Sequence, residues 1–287
     1  MEKGAVCIIG AGISGLICAR TLADRGFPVT VLEKSRGVGG RMSTRRSDDG
    51  TPFDHGAPYF TVQGERFRDQ VRDWIDAGVV RPWEAAIVEL YQGRADPEGK
   101  AVERFVAVPG MNGICHHLSR DLDVRFNTVA APPERDGDRW LVRDGDGAEL
   151  GRFDAVLISA PAPQTTVLLQ AAPLLVKRAE RVRMAPSWAV MAAFDAGLGL
   201  DYDAAFIHQS SLTWIARNSS KPGRPGSPET WVLQATPAWT GEQIEKDPAW
   251  VTKRLLASFG EATGCGPVEP SHSAAHLWRH AVPPEPH

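Results

Sequence analysis

The apolar positions of this chain change period within its first thirty-odd residues. Residues 5–9 form a continuous apolar run, the pattern of a strand buried on both faces. In residues 14–25, Leu16, Ala19, Leu22 and Ala23 recur at helical spacing, and Gly26 stops them. Residues 28–33 are apolar and strand-like again. Together they predict a βαβ unit at the start of the chain.

Beyond that unit the alternation lapses. Residues 35–58 are irregular and rich in Gly, Arg, Ser and Asp. Residues 65–77 predict a helix, with Phe67, Val71, Trp74 and Ile75 on one face and Gly78 at its end. Strands are predicted at 87–92, 104–108, 124–129, 140–142 and 155–159, with a short helix at 114–122. Residues 164–181 read as one helix. Strands follow at 189–194, 205–208, 213–216 and 230–236, with a Pro/Gly loop at 221–228. Residues 248–262 predict a helix with Asp247 as cap and Pro248 in its first turn. A βαβ start followed by β-rich segments argues against a nicotinamide dehydrogenase, whose nucleotide domain would keep alternating.

Composition narrows the function classes. The 287 residues are 43% hydrophobic and 23% charged, with a net charge of −3. That suits a globular domain and gives no reason to expect nucleic acid or an anionic membrane as partner. No stretch reaches the ~20 apolar residues of a membrane span. The four cysteines form no C-x-x-C pair, which points to free thiols and a cytoplasmic setting. Oligomeric state is not legible.

The first strand runs into Gly10-Ala-Gly12-Ile13-Ser14-Gly15. In such a loop the first glycine permits the turn and the second admits a pyrophosphate; the third lets helix pack on strand. The helix N-terminus faces the phosphates. Glu33, at the end of the second strand, is placed to accept from ribose hydroxyls. A second cluster, Gly37, Gly39, Gly40 and Arg41, implies a longer ligand than NAD. An arginine there can reach a phosphate or a flavin. Glu33 followed by Gly-Gly-Arg is similar to the flavoprotein pattern of amine oxidases and desaturases.

Further segments resemble one family of that group. E-K-S-R-G-V-G-G-R-M-S-T-R-R (33–46), D-H-G-A-P-Y-F-T (54–61), V-P-G-M (108–111), A-P-A-P-Q (160–164) and W-I-A-R-N-S-S-K-P-G-R (214–224) are similar to bacterial renalase, from about residue 5 to 280. The resemblance implies an α/β fold: a Rossmann-like FAD-binding domain of p-hydroxybenzoate-hydroxylase type with an inserted β-sheet substrate domain. It sets the FAD domain at 1–62 and 100–165, the substrate domain at 63–99 and 166–280, and a tail at 281–287. It implies an FAD-dependent oxidase. Such an enzyme takes hydride from 2- or 6-dihydro isomers of NAD(P)H, returns NAD(P)+ and passes electrons to O2, forming hydrogen peroxide. Hydride transfer of this kind needs stacking and close approach rather than a nucleophile.

Carried onto this chain, the resemblance assigns Gly10, Gly12, Gly15, Glu33, Gly40 and Arg41 to the ADP half and pyrophosphate. Ile13, Ser14, Lys34 and Met42 join them as cofactor-binding residues. Gly56 and Ala57 are expected beside the isoalloxazine, with Pro109, Gly110 and Met111 bordering it. Val129, on the strand after Asn127, is expected to meet adenine through its backbone. Tyr59, Trp188, Trp214, Asn218, Trp231 and Trp239 are substrate-cavity candidates, and Asp54 is read as orienting its loop. No catalytic residue and no metal ligand is assigned. His272, His276 and His280 are spaced by four but fall in a strand-like stretch, where that spacing is too long for one metal.

Pro58 stands where the family usually has Gln. Relatives also continue past the H-x-W segment, here His276–Trp278, into a Gly-Asp-Trp strand and a closing helix that complete the cofactor clamp; that segment is absent from the 287 residues. The alternatives are another flavin oxidoreductase of amine oxidase or desaturase type, and a truncated, non-catalytic nucleotide-binding relative.

Overall fold

The computed structural model describes residues 3–91, 94–99 and 102–284. The end of the strand expected at 87–92 and the last three residues of the tail lie outside them. The fold is mixed α/β, and its contacts divide it into two compact units. One comprises Met1–Met42, Ile114–Met184 and Val282–His287; the other comprises Ser43–Gly113 and Ala185–Ala281.

The first unit holds the predicted βαβ: strand β1 (Val6–Ile9), helix α1 (Ile13–Ala23) and strand β2 (Val29–Leu32). A four-stranded sheet runs in the order Ala155–Ile158, β1, β2, Asp123–Arg125. All its pairings are parallel. β1 is buried at every position, as a central parallel strand must be. Cys7, Ile9, Leu32, Val142 and Phe153 form the core on one side.

Two expectations in this unit are corrected. The helix expected at 164–181 is two helices, Ala162–Leu168 and Pro173–Ala179. Pro173 has no N–H to continue the first helix and its ring clashes with the preceding turn, so it starts a new one instead. The strand expected at 124–129 stops at Arg125. Asn127 is left-handed, with φ 52°, and turns the chain so that Asn127 and Thr128 donate to the Ser35 and Glu33 carbonyls. Val129 therefore lies beyond the strand.

The second unit is built on a seven-stranded sheet. Its order is His272–Val282, Ala185–Phe194, Glu229–Ala235, Leu212–Arg217, Ala204–His208, Ile87–Tyr91, Arg94–Pro97. Ala204–His208 pairs with Ile87–Tyr91 in parallel. Helix Pro248–Thr263 packs Val251, Leu255 and Phe259 on one face, against Trp231, Leu233 and Ile215. Asp247 caps it by accepting from the Ala249 N–H at 2.8 Å. Residues 272–280 are in a strand, as their composition predicts, so the three histidines are spread along it.

Candidate functional site: a glycine cradle and a buried charge cluster

In the first unit the two glycine loops are joined to each other. Gly12 and Gly39 form a parallel bridge, and Gly39 N–H donates to the Ala11 carbonyl at 3.0 Å. Gly10 takes φ +110°, and a Cβ there would meet the Ser159 carbonyl oxygen at 2.6 Å. A Cβ on Gly15 would meet the Gly10 oxygen at 2.2 Å. Both positions are closed by protein, so only glycine fits them. Gly12 differs: a Cβ built there meets nothing within 4 Å. The backbone at Gly12 faces open space at the head of α1, which has no side-chain cap. Its first-turn N–H groups and positive dipole end are what a pyrophosphate needs.

Glu33 is buried and ties the loops together. One carboxylate oxygen accepts from Ala11 N–H at 2.7 Å and the other from Ser35 N–H at 2.8 Å. A carboxylate offers about four lone-pair positions, so both oxygens retain capacity for ribose hydroxyls. Thr128 N–H donates to the Glu33 carbonyl, which brings exposed Val129 beside this end of the cradle despite its leaving the strand. Lys34 is exposed and donates to Gln164 Oε1 at 3.3 Å. Ile13 and Ser14 open α1, while Gly40, Arg41 and Met42 form a single 3-10 turn. The geometry fits a dinucleotide: open where the phosphates approach, closed where helix packs on strand, with a carboxylate at the ribose position.

In the second unit, sequence reading missed a cluster of buried charge. Asp54 is fully buried. Its Oδ1 accepts from Thr44 Oγ1 at 2.8 Å and from Met111 N–H at 2.9 Å. Its Oδ2 accepts from Lys221 Nζ at 3.2 Å and from Arg224 Nη2 at 2.6 Å. Arg224 also donates to the Ala107 carbonyl at 2.6 Å. Asn218, expected in a substrate cavity, belongs here: its Oδ1 accepts from Asp54 N–H and Lys221 Nζ, and its Nδ2 donates to the Pro52 carbonyl.

Burial alone would raise the Asp54 pKa, but Lys221, Arg224 and the Met111 N–H outweigh it and hold the carboxyl at about 2. Burial, opposed by Asp54, brings Lys221 down to about 8. One anion between two cations leaves the cluster net positive. It fixes residues 54–57 and 109–111, the two segments expected beside the flavin. Gly110 is required there, since a Cβ would meet Thr44 Oγ1 at 2.6 Å. Gly56 is half-buried, like Ala57, and its carbonyl accepts from Gln234 Nε2 at 2.6 Å; Pro109 is exposed. Next to Asp54, His55 is pushed down to about 4 by burial, with His276 and Arg45 adding to the effect. Its ring lies 4.9 Å from that of His276.

The tryptophans separate. Trp188 and Trp231 sit in the core of the second unit with their indole N–H groups bonded to the Gln243 carbonyl and to Glu229. Trp239 stacks with Trp250 at 6.3 Å. Only Trp214 among these four lies against Tyr59, ring centroids 5.4 Å apart.

Comparison with known proteins places the fold. Residues 8–74 match the family model described as NAD(P)-binding Rossmann-like domain. A candidate protoporphyrinogen oxidase from Exiguobacterium superposes over 99% of this chain and 88% of its own, with TM-score 0.77 and 15% identity. A cyclohexylamine oxidase from Brevibacterium oxydans covers 96% and 85%, with TM-score 0.75 and 14% identity. A putrescine oxidase covers 95% and 84%, with TM-score 0.74 and 13% identity. The chain shares its fold with these three oxidases.

Curated relatives match only part of the chain. The 4,4'-diapophytoene desaturase of Staphylococcus haemolyticus is 40% identical over 76 residues, 23% of this chain and 15% of its own. The lysine-specific histone demethylase 1 homolog 3 of Arabidopsis thaliana is 45% identical over 74 residues, 24% of this chain and 4% of its own. The chain thus spans a small fraction of either. Among the described residues no group of three or more His, Cys, Asp or Glu could hold a metal. No described helix is long and apolar enough to cross a membrane.

Proposed function

We propose that this chain is an FAD-dependent oxidase whose substrates are the 2- and 6-dihydro isomers of NAD(P)H. The observation that carries the cofactor assignment is the joining of the two glycine loops at Gly12 and Gly39, with open space over Gly12. One loop would suffice for a short nucleotide. Two, with Glu33 between them, suit a ligand that continues past its first pyrophosphate. The substrate assignment is supported by the family segments at 54–61, 108–111 and 214–224.

On this reading Gly12, Ile13, Ser14 and Gly15 receive the pyrophosphate on the α1 N-terminus, and Glu33 holds the adenosine ribose. Gly40, Arg41 and Met42 continue the contact, with Lys34 at its edge and Val129 bordering adenine. By the family resemblance Gly56, Ala57, Pro109, Gly110 and Met111 border the flavin ring; within their own unit Asp54, Lys221 and Arg224 hold these segments. Bound FAD supplies a two-electron acceptor that hands its electrons to O2. The overall change is dihydronicotinamide, O2 and one proton to nicotinamide cation and hydrogen peroxide. The protein's part is to orient the two rings and keep water from between them. No side-chain base is needed, because the proton balance is met at the peroxide product.

A second reading is favoured by two solved neighbours, a putrescine oxidase and a cyclohexylamine oxidase: oxidation of a small amine by the same bound flavin. Peroxide production separates the two. With equal concentrations of 6-dihydro-NAD, putrescine and cyclohexylamine, the first reading predicts turnover of the dihydronicotinamide alone. Turnover of either amine with none of the dihydronicotinamide would replace it with the second.

A further inference from the structure

We propose that His55, packed against His276 and Trp278, is an acid-sensitive latch on residues 55–57: closed while its imidazole is neutral, released when the ring takes up a proton. The latch rests on contacts within the second unit and does not depend on the oxidase reading.

The strand His272–Val282 sets out its parts. Side chains two apart in a strand share a face, as His272, Ala274, His276 and Trp278 do here. Phe53 stacks on His272, ring centres 5.9 Å apart. Two residues on, His55 lies 4.9 Å from His276 and 5.0 Å from Trp278. The Trp278 indole N–H donates to the His55 carbonyl at 2.9 Å. His55 is 5% exposed, and its Nδ1 is buried with no hydrogen-bond partner. The neighbouring residues are tied as well, the Asp54 carboxylate to Lys221 and Arg224 and the Gly56 carbonyl to Gln234. Of the side chains in these three anchors, the imidazole is the type that ordinarily changes charge in mildly acidic solution.

A proton on His55 meets no free anion. His276 faces the ring from its own strand and Arg45 from the short strand Arg45–Arg46, and both repel a cation there. The nearest acid, Asp54, is already engaged by Thr44, the Met111 N–H, Lys221 and Arg224. Burial is the largest cost of charging the ring. With His276 and Arg45 it holds His55 at about 4, against an ordinary 6.5, while the Phe53 backbone and Asp54 oppose the shift and are outweighed. Burial and Arg45 push His276 down too. Opening the segment exposes the ring to water and restores its ordinary affinity for a proton. The open form therefore binds the proton first as pH falls, and the closed form loses ground from 6.5 down to about 4. That window lies above the one in which Asp54 titrates, so the latch releases while the Asp54 carboxylate is still ionised.

The test follows hydrogen exchange of single indole N–H groups by NMR, corrected for the intrinsic effect of pH on exchange. The Trp278 signal, assigned by its loss in Trp278→Phe, reports the bond to the His55 carbonyl. Trp188 and Trp231, bonded to the Gln243 carbonyl and to Glu229 in the core of the same unit, serve as controls. Between about pH 7.5 and about pH 5, opening at Trp278 is expected to rise on the order of tenfold or more, and at the controls by less than about threefold. His55→Gln has no proton to gain and is expected to flatten the response of Trp278. Equal opening at Trp278 at the two pH values overturns the proposal. So does an equal rise at all three indoles, which is general loosening rather than a latch, or a full response retained in His55→Gln. The wild-type arms can overturn it whether or not the variant folds. Flavin content and turnover do not enter the measurement, so failure of the oxidase reading leaves the latch standing.

Discussion

The three glycines of one loop sit in two different surroundings, and the difference is measurable. At Gly10 and Gly15 the space for a side chain is taken by backbone, so a larger residue must distort the turn between β1 and α1. At Gly12 the space is open, so a larger residue costs the fold little and blocks only what approaches from outside. Gly15→Val is expected to destabilise the protein by several kcal/mol, on the scale of overpacked sites or beyond. Gly12→Val is expected to keep the wild-type urea midpoint within about 1 kcal/mol and lose flavin uptake. Urea unfolding followed by tryptophan fluorescence, with flavin content measured in parallel, checks both. That Gly10 and Gly15 sit where only glycine fits was legible from their spacing. The charge cluster was not. Lys221 and Arg224 lie in a stretch of Ser, Pro and Gly that reads as exposed loop, and nothing local reveals that Asp54 lies buried beneath them. Its signal was only that the loop carries two cations while Asp54 opens a glycine-containing segment.

At the scale of elements, the βαβ unit, the core strands of the second unit and helix Pro248–Thr263 were legible because each has a strong period or a cap at its start. The misses have physical causes. Strands Glu134–Asp136 and Glu149–Phe153 carry charge along exposed faces, so hydrophobic pattern does not mark them. Pro173 divides a stretch whose apolar spacing is otherwise helical. The elements around Asp54 depend on one another through its carboxylate, which binds Thr44, Met111, Lys221 and Arg224. Asp54→Asn leaves two buried cations without their anion and is expected to cost about 3–5 kcal/mol. The pH dependence follows from sign. The native carboxyl, at about 2, is more acidic than a free aspartate at 3.8. The unfolded chain therefore binds the proton first as pH falls, and the Asp54 contribution, full above 3.8, is lost on going down to about 2. Urea midpoints across that window should fall in the wild-type protein and be flatter in Asp54→Asn.

For the molecule as a whole, sequence identity and fold tell different parts of the account. The solved oxidases share about the same architecture over nearly the full chain at 13–15% identity, while stronger identity is confined to about a quarter of it. Architecture is thus shared at an identity too low to carry substrate choice from one chain to another. The account's central claim is that two joined glycine loops hold FAD for hydride removal from a dihydronicotinamide. It is tested most directly by the visible spectrum of the protein saturated with FAD and freed of excess, recorded under nitrogen before and after 6-dihydro-NAD, and again in air. The predicted result is a bound flavin spectrum that bleaches on mixing and returns with oxygen. A protein that retains no flavin, or a bound flavin that the dihydronicotinamide leaves oxidised, would contradict it.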